Sequence, residues 1–255
     1  MNTEVRNLSF SYGEQPILQD VSFCLNGREV VSVLSPNGGG KTTLFRCMLG
    51  IHRQYTGIIT YDERDSRNLS IRNLARYAAY VPQSHYPAFN YNVLDMVLMG
   101  TTPLLRSTIQ PGEEEYEIAE QALARLGIST LARRGFIRLS GGEQRLVLIA
   151  RALAQQAPMI ILDEPTADLD IGNQHLVMTQ LRRLRDEGMT ILFSTHDPSQ
   201  AYRWSDRVLA LSEQSIYAEG PPARVICSPV LNHLYHIDAT VVPLDDRDIH
   251  IQIHS

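Results

Sequence analysis

Residues Ser35, Pro36, Asn37, Gly38, Gly39, Gly40, Lys41, Thr42 and Thr43 follow one another without a break, and their types suit phosphate chemistry. Glycines let backbone amides close around an anion, a lysine brings positive charge, and a hydroxyl beside it suits a divalent cation. The flanks agree with this use. Residues 29–34 are a short β-branched run expected to form a buried strand, and 44–49 carry a helical pattern stopped by Gly50. Strand, glycine loop and helix stand in the order needed to cradle a nucleoside triphosphate such as ATP. Loop amides and the positive helix end would surround the β-phosphate, Lys41 would reach the β/γ oxygens, and Thr42 would hold Mg²⁺. One position departs from the pattern G-x-x-x-x-G-K-[ST]. Its opening glycine is replaced by Ser35, at some expected cost in freedom at the first turn.

A second constellation lies in Met-Ile-Ile-Leu-Asp-Glu-Pro, residues 159–165, an apolar strand ending in two carboxylates. Parallel sheets present ligands at their carboxyl edge, so Asp163 is placed to hold Mg²⁺ and Glu164 to act as general base toward an attacking water. A helix cap is the competing use of such a pair. Gln83 and His196 also follow apolar strands and can point into the same cleft. Gln83 could reach Mg²⁺ or the water, and His196 the γ-phosphate, although each alone is often a loop residue satisfied locally. Tyr12, in Phe-Ser-Tyr-Gly, could stack on adenine or simply pack at a strand end.

The elements that must carry these groups alternate. The first eighty residues read as short strands at 5–10, 21–25, 57–61 and 78–81, with a hairpin turn at Asn26-Gly27 leading to the cradle strand. From residue 92 to about 132 the pattern turns helical, with helices over 93–99 and 113–126, the latter opening on Glu113, Glu114 and Glu115, which favour the helix N-terminus. A long amphipathic helix from 142 to 154, the strand 159–163, a helix over 172–186, a strand at 190–194 and a helix over 198–204 follow. This alternation predicts an α/β fold with a parallel sheet covered on both faces. Beyond Gly220, Pro221, Pro222 and Pro229 and two strand-like stretches, 239–242 and 249–253, suggest a small appendage over 221–255. His233, His236, His250 and His254 lack ligand spacing there and read as solvated surface.

Composition excludes several classes. With 44% hydrophobic and 20% charged residues over 255 positions, the chain is of ordinary globular type. No apolar run approaches the length of a membrane span, and no secretory signal is visible, so a cytoplasmic protein is expected. Cys24, Cys47 and Cys227 are too few and too dispersed for a zinc site, and reduced thiols are expected. The net charge of −5 argues against nucleic acid as a partner.

The last motif is Leu-Ser-Gly-Gly-Glu-Gln, residues 139–144, at the start of the long helix. Two glycines and a serine at a helix N-terminus make a second anion site. With it the chain resembles the ATP-binding-cassette ATPases: the motif matches their LSGGQ-type signature with Glu143 at the fifth position, and the cradle, Gln83, Asp163-Glu164 and His196 occur in the family's order over residues 3–220. The resemblance implies a P-loop cassette over 1–220 with a RecA-like parallel-sheet core, an N-terminal antiparallel β-subdomain and a helical subdomain over about 84–145. It implies that two copies close head to tail around two ATP, so that Ser140, Gly141 and Gly142 of one copy meet the γ-phosphate held by the other. Asp170, in Ala-Asp-Leu-Asp, would lie on the loop that communicates between the two sites, where Ala167 and Asp168 depart from the usual Ser-Ala.

Residues 92–100 and 194–201 look like segments of ATPases that drive uptake of iron siderophores, haem, cobalamin and related metal chelates. By that resemblance the partners are a second copy, membrane permease subunits and, indirectly, a substrate-binding protein, with the chain at the cytoplasmic face of the cell membrane. A groove between the helical insertion and the Gln83 loop would receive a permease helix. His85, Tyr86, Phe89 and Tyr91 would give that loop an aromatic docking surface or a local core. A zinc or manganese importer and a soluble ATP switch are the alternatives.

Overall fold

The computed structural model describes residues 1–83, 89–105 and 110–254. Strands β1 (Thr3–Tyr12) and β2 (Gln15–Leu25) pair antiparallel, with Tyr12 facing Gln15 across the turn. Val5, Leu8, Leu18 and Val21 are among the side chains buried along this pair, with register shifts between Val5 and Leu8 and between Leu8 and Phe10 interrupting the two-residue alternation. The hairpin turn therefore lies at Gly13-Glu14, and the reading of Asn26-Gly27 as a hairpin turn is corrected. That turn carries the chain from β2 into β3 (Val30–Leu34), which belongs to a different sheet. All five β3 residues are buried, a pattern that suits the middle of a parallel sheet rather than a one-faced hairpin.

Helix α1 (Lys41–Met48) follows β3, and β4 (Thr56–Tyr61) returns to pair with β1, edged by β5 (Arg64–Asp65). The short α2 (Ile71–Leu74) leads to β6 (Ala78–Val81) at the edge of the second sheet. Three helices come next: α3 (Val93–Leu98), α4 (Glu113–Arg125) and α5 (Gly141–Ala154). Glu113, Glu114 and Glu115 occupy the first turn of α4, where the dipole favours them. Then β7 (Met159–Leu162), α6 (Ile171–Asp186), β8 (Thr190–Thr195), α7 (Pro198–Trp204), β9 (Arg207–Ser212) and β10 (Ser215–Gly220) complete the alternation. The chain continues as α8 (Pro222–Val225), α9 (Ser228–Tyr235) and the hairpin β11 (Ala239–Asp245) with β12 (Asp248–Ile253).

The second sheet runs β10-β9-β3-β8-β7-β6, parallel except for β10. Its two faces feed different cores because successive side chains alternate. Val30, Ile160 and Ile191 pack with α3 to α6, whereas Val31, Ile161 and Leu192 pack with α1 and the first sheet. A third core joins Leu34, Val208 and Ala210 to α7, Leu231 and Leu234 of α9, and Ile249 of β12. This third core brings the C-terminal segment up to the end of the cradle strand.

Among the described residues no helix is long and apolar enough to cross a membrane, and no group of His, Cys, Asp and Glu has metal-site geometry. The three cysteines are free thiols; Cys47 is fully buried, which pushes its pKa up to about 12, and Cys24 and Cys227 are half-buried. Phe89 and Tyr91 are exposed and meet edge to face; His85 and Tyr86 lie outside the described residues.

Candidate functional site

β3 ends at Leu34, and the six-residue loop 35–40 turns over its carboxyl edge into α1. Gly40 caps α1 with φ 91°, a left-handed conformation that glycine adopts without a Cβ penalty. No side chain caps this helix end and no acidic residue stands in its first turn; the carboxylates that reach it, Asp163 at Thr42 and Glu164 at Lys41, come from the end of β7. Lys41, only 6% exposed, bonds the carbonyls of Ser35 at 2.8 Å and Pro36 at 3.1 Å and lies 3.4 Å from Glu164 Oε1. Burial lowers its pKa, against the opposing pull of Glu164 and Asp163.

The Ser35 departure has a steric counterpart. Ser35 is fully buried, and a Cβ built on Gly39 would sit 1.8 Å from Ser35 Oγ and 3.1 Å from its Cβ. The Ser35 hydroxyl thus fills the space that any side chain at position 39 would need. Serine at the opening position and glycine at 39 form one packing solution.

Asp163 lies just past β7, 2% exposed, and its charge is held by hydroxyls. Ser194 donates to Oδ1 at 2.6 Å, Thr42 to Oδ2 at 2.6 Å, and Tyr80 to Oδ2 at 3.4 Å. Burial, followed by the Asp163 charge, pushes the Tyr80 phenol up to about 12, which keeps it a donor. Ser194 Oγ also accepts from the Glu164 amide at 2.8 Å. That bond helps to hold Glu164 at φ 42°, a conformation costing on the order of 1–3 kcal/mol for such a residue. The strained backbone turns the carboxylate into the cleft. There Gln83 Nε2 and His196 Nδ1 each lie 3.3 Å from Oε2.

Asn37, Gly38, Gly39, Gly40, Lys41, Thr42, Thr43, Gln83, Glu164 and His196 therefore line one cleft of about 710 Å³. Asp163 stands behind its wall through Thr42. The same cleft admits Asp168, which also has a positive φ of 62°. Tyr12 stands outside the lining: it is exposed, its hydroxyl bonds His52 Nε2 at 2.7 Å, and its ring meets Phe10 edge on. Ile17 is among the residues that line the cleft.

Ser140, Gly141, Gly142 and Asp170 are gathered on a separate surface. Ser140 Oγ accepts from the Glu143 amide at 3.3 Å, and Glu143 accepts from the Ser140 amide at 2.9 Å, a reciprocal cap on α5. Asp170 caps α6 through the Asn173 amide at 2.9 Å, and that backbone bond, with one from the Asn173 side chain, holds its carboxyl below the usual range. Asn173 in turn lies against Gly142, where an added Cβ would fall 2.1 Å from its Oδ1. The glycine pair and the Asp170 loop are one packed unit.

Three further residues support the site. Ser194 and Tyr80 fix Asp163, and the buried Arg145 of α5 donates to the carbonyls of Pro82 at 2.9 Å and Gln83 at 2.8 Å. Ser194 was detectable as a polar residue inside an otherwise apolar strand. Arg145 carried no such sign, since an arginine on an amphipathic helix usually faces water.

The ABC transporter family model matches residues 18–167. The hemin import ATP-binding protein HmuV of Thermobifida fusca is 36% identical over 93% of this chain and 83% of its own. The molybdate import ATP-binding protein MolC of Haemophilus influenzae is 37% identical over 91% of this chain and 87% of its own. Among solved structures, a metal-chelate type ABC transporter in an inward-facing conformation has 34% identity and TM-score 0.86, covering 99% of this chain and 96% of that one. A dimeric bacterial ABC transporter cassette has 27% identity and TM-score 0.74, covering 86% of this chain and 98% of that one. The mixed sheet, the phosphate-type loop and these likenesses lead to one assignment: the chain belongs to the ABC transporter family and is an ATPase cassette of it.

Proposed function

We propose that this chain is the ATP-hydrolysing subunit of a membrane importer whose cargo is an iron siderophore, haem, cobalamin or a related metal chelate. The observation that carries the hydrolytic part is Glu164, held by strained backbone between Lys41, Gln83 and His196 at the edge of the phosphate loop. In this reading Lys41 and the α1 amides bind the β- and γ-phosphates, Glu164 accepts the proton of the attacking water, and His196 contacts the γ-phosphate. Gln83 relates the nucleotide to the membrane partner, and Arg145 fixes the backbone from which it projects. The Thr42 hydroxyl and the Asp163 carboxylate, 2.6 Å apart, are hard oxygen donors that suit Mg²⁺, with Gln83 as a third. Bound there, the ion would neutralise phosphate charge.

Residues 1–220 would form the ATPase unit, with a helical subdomain over about 84–145 and an appendage over 221–255. Ser140, Gly141, Gly142 and Asp170 would act on the nucleotide held by a second copy, which the likeness to a dimeric cassette supports. The groove expected between the helical insertion and the Gln83 loop would receive a short permease helix; the nearest described candidate, of about 380 Å³, is lined by Leu49, Ile51, Ile71, Tyr80, Met99 and neighbours and not by Gln83. Exposed Ile51, Ile71 and Met99 suit an apolar partner. The chain would then work at the cytoplasmic face of the membrane.

The hemin import relative and the metal-chelate type structure favour chelate cargo, while the molybdate relative favours an oxyanion as the second reading. Disrupting the coding sequence and measuring uptake separates them. Loss of labelled ferric siderophore, haem or cobalamin uptake, restored by the wild-type chain and not by Glu164→Gln, is expected. Loss of molybdate uptake alone contradicts the chelate reading, and restoration by Glu164→Gln contradicts the role of Glu164.

A further inference from the structure

His196 sits on the short link between β8 and α7, and two bonds shape that link from its own side chains. The Asp197 amide donates to Thr195 Oγ1 at 3.0 Å, and the Ser199 amide to Asp197 Oδ1 at 2.8 Å. The first bond holds the N–H end of the peptide that follows His196 and not its carbonyl end. A third contact holds the carbonyl end, and it comes from far along the chain: the Tyr235 hydroxyl donates to the His196 carbonyl at 2.8 Å.

Tyr235 ends α9, and α9 is anchored on both sides. Leu231 and Leu234, 1% and 2% exposed, pack it into the core shared with Leu34, the last residue before the phosphate loop. On the other side Asn232 Oδ1 accepts from the Ala239 amide at 2.8 Å, and Ser228 Oγ accepts from the Val241 amide at 2.9 Å, tying α9 to β11. The hairpin is joined to α7 by an ion pair between Arg203 and Asp248, both of which are half-exposed. The phenol therefore reaches the His196 link from a rigid base. Burial, and then the nearby Asp197 charge, raise its pKa, so it stays protonated and donating at neutral pH.

We propose that Tyr235, and through it the C-terminal segment, is a positioning residue for hydrolysis: by holding the His196 carbonyl it sets the direction of the imidazole toward Glu164 and the γ-phosphate. This rests on the role given to His196 above. A peptide held at its N–H end only would leave the ring, 52% exposed and 3.3 Å from Glu164, freer to sample other directions. Ordering a catalytic side chain by a bond to its backbone lowers the entropy that must be lost at the transition state.

The test compares Tyr235→Phe, which keeps the ring and removes the hydroxyl, with His196→Ala and with the double variant. Turnover and ATP KM are measured at a temperature where circular dichroism shows every variant folded. Tyr235→Phe should lower kcat about three- to tenfold, the worth of one neutral hydrogen bond, with KM unchanged. The double variant should turn over as fast as His196→Ala alone. Wild-type kcat in Tyr235→Phe beside a large loss in His196→Ala overturns the positioning role only. An equal further drop in the double variant also overturns it, because the hydroxyl would then act through the fold and not through the imidazole. Wild-type kcat in His196→Ala overturns the assignment of His196 and the inference with it.

Discussion

Helices α1 and α5 both open beside glycines, and their first turns are built in opposite ways. α1 starts at Gly40 with no side-chain cap and no acidic residue, inside a cleft whose other wall is Glu164, Gln83 and His196. α5 starts at Ser140 with a reciprocal cap from Glu143, on a surface apart from that cleft, and Glu143 further meets Arg134 at 3.3 Å. The first end is left open to an anion by its own chain. The second is already satisfied in part, so it has less to gain from an anion in isolation and is fitted to act where another surface adds contacts. In the proposed function one end is a site and the other is half of one.

The sharpest way to break this contrast is at Glu164. Glu164→Gln should cut steady-state ATP turnover by about 10²–10⁴ while ATP still binds, since the substitution removes a base and leaves the loop intact. Unchanged turnover would show that the cleft is not the hydrolytic half. Packing beneath the loop comes next. Gly39→Ala must displace Ser35 Oγ, now 1.8 Å from the new Cβ, at a cost of about 1–3 kcal/mol, read as weaker nucleotide affinity in a titration. Ser35→Gly in the same chain should restore it, and failure to restore would separate the two positions.

Ser194→Ala removes a hydrogen bond to a buried carboxylate and the acceptor of the Glu164 amide, and should cost about 1.5–3 kcal/mol in denaturant unfolding, with reduced turnover. The smallest effect belongs to α5. Glu143→Ala should lower stability by about 0.3–1.5 kcal/mol through the lost cap and leave nucleotide affinity of the isolated chain unchanged. A large fall in that affinity would mean that the two helix ends are not separate.

What could be read in the residues follows the reach of each signal. The phosphate loop and the Asp163-Glu164 pair were legible because loop, strand and carboxylates are contiguous, so local order carries their geometry. Gln83 and His196 were legible only through their place after apolar strands. The Asn26-Gly27 turn misled, because turn chemistry reports a reversal and not which sheet receives the next strand; the fully buried β3 decided that. Ser194, Tyr80, Arg145 and Tyr235 act across 31 to 83 positions of chain, and no local pattern announces a partner at that separation. The fit between Ser35 and Gly39 is close in sequence but depends on the curl of the loop, which residue types alone do not display.

The central claim is that each complete site draws its cradle from one copy and Ser140 to Gly142 from another. Mixed dimers carrying Lys41→Ala and Ser140→Arg test it directly by ATP turnover. With the two substitutions on different copies, one defective site contains both and the other site is intact, so turnover should remain; with both on the same copy, each site is broken and turnover should vanish. Equal activity in the two arrangements, or the reverse order, would contradict the composite site.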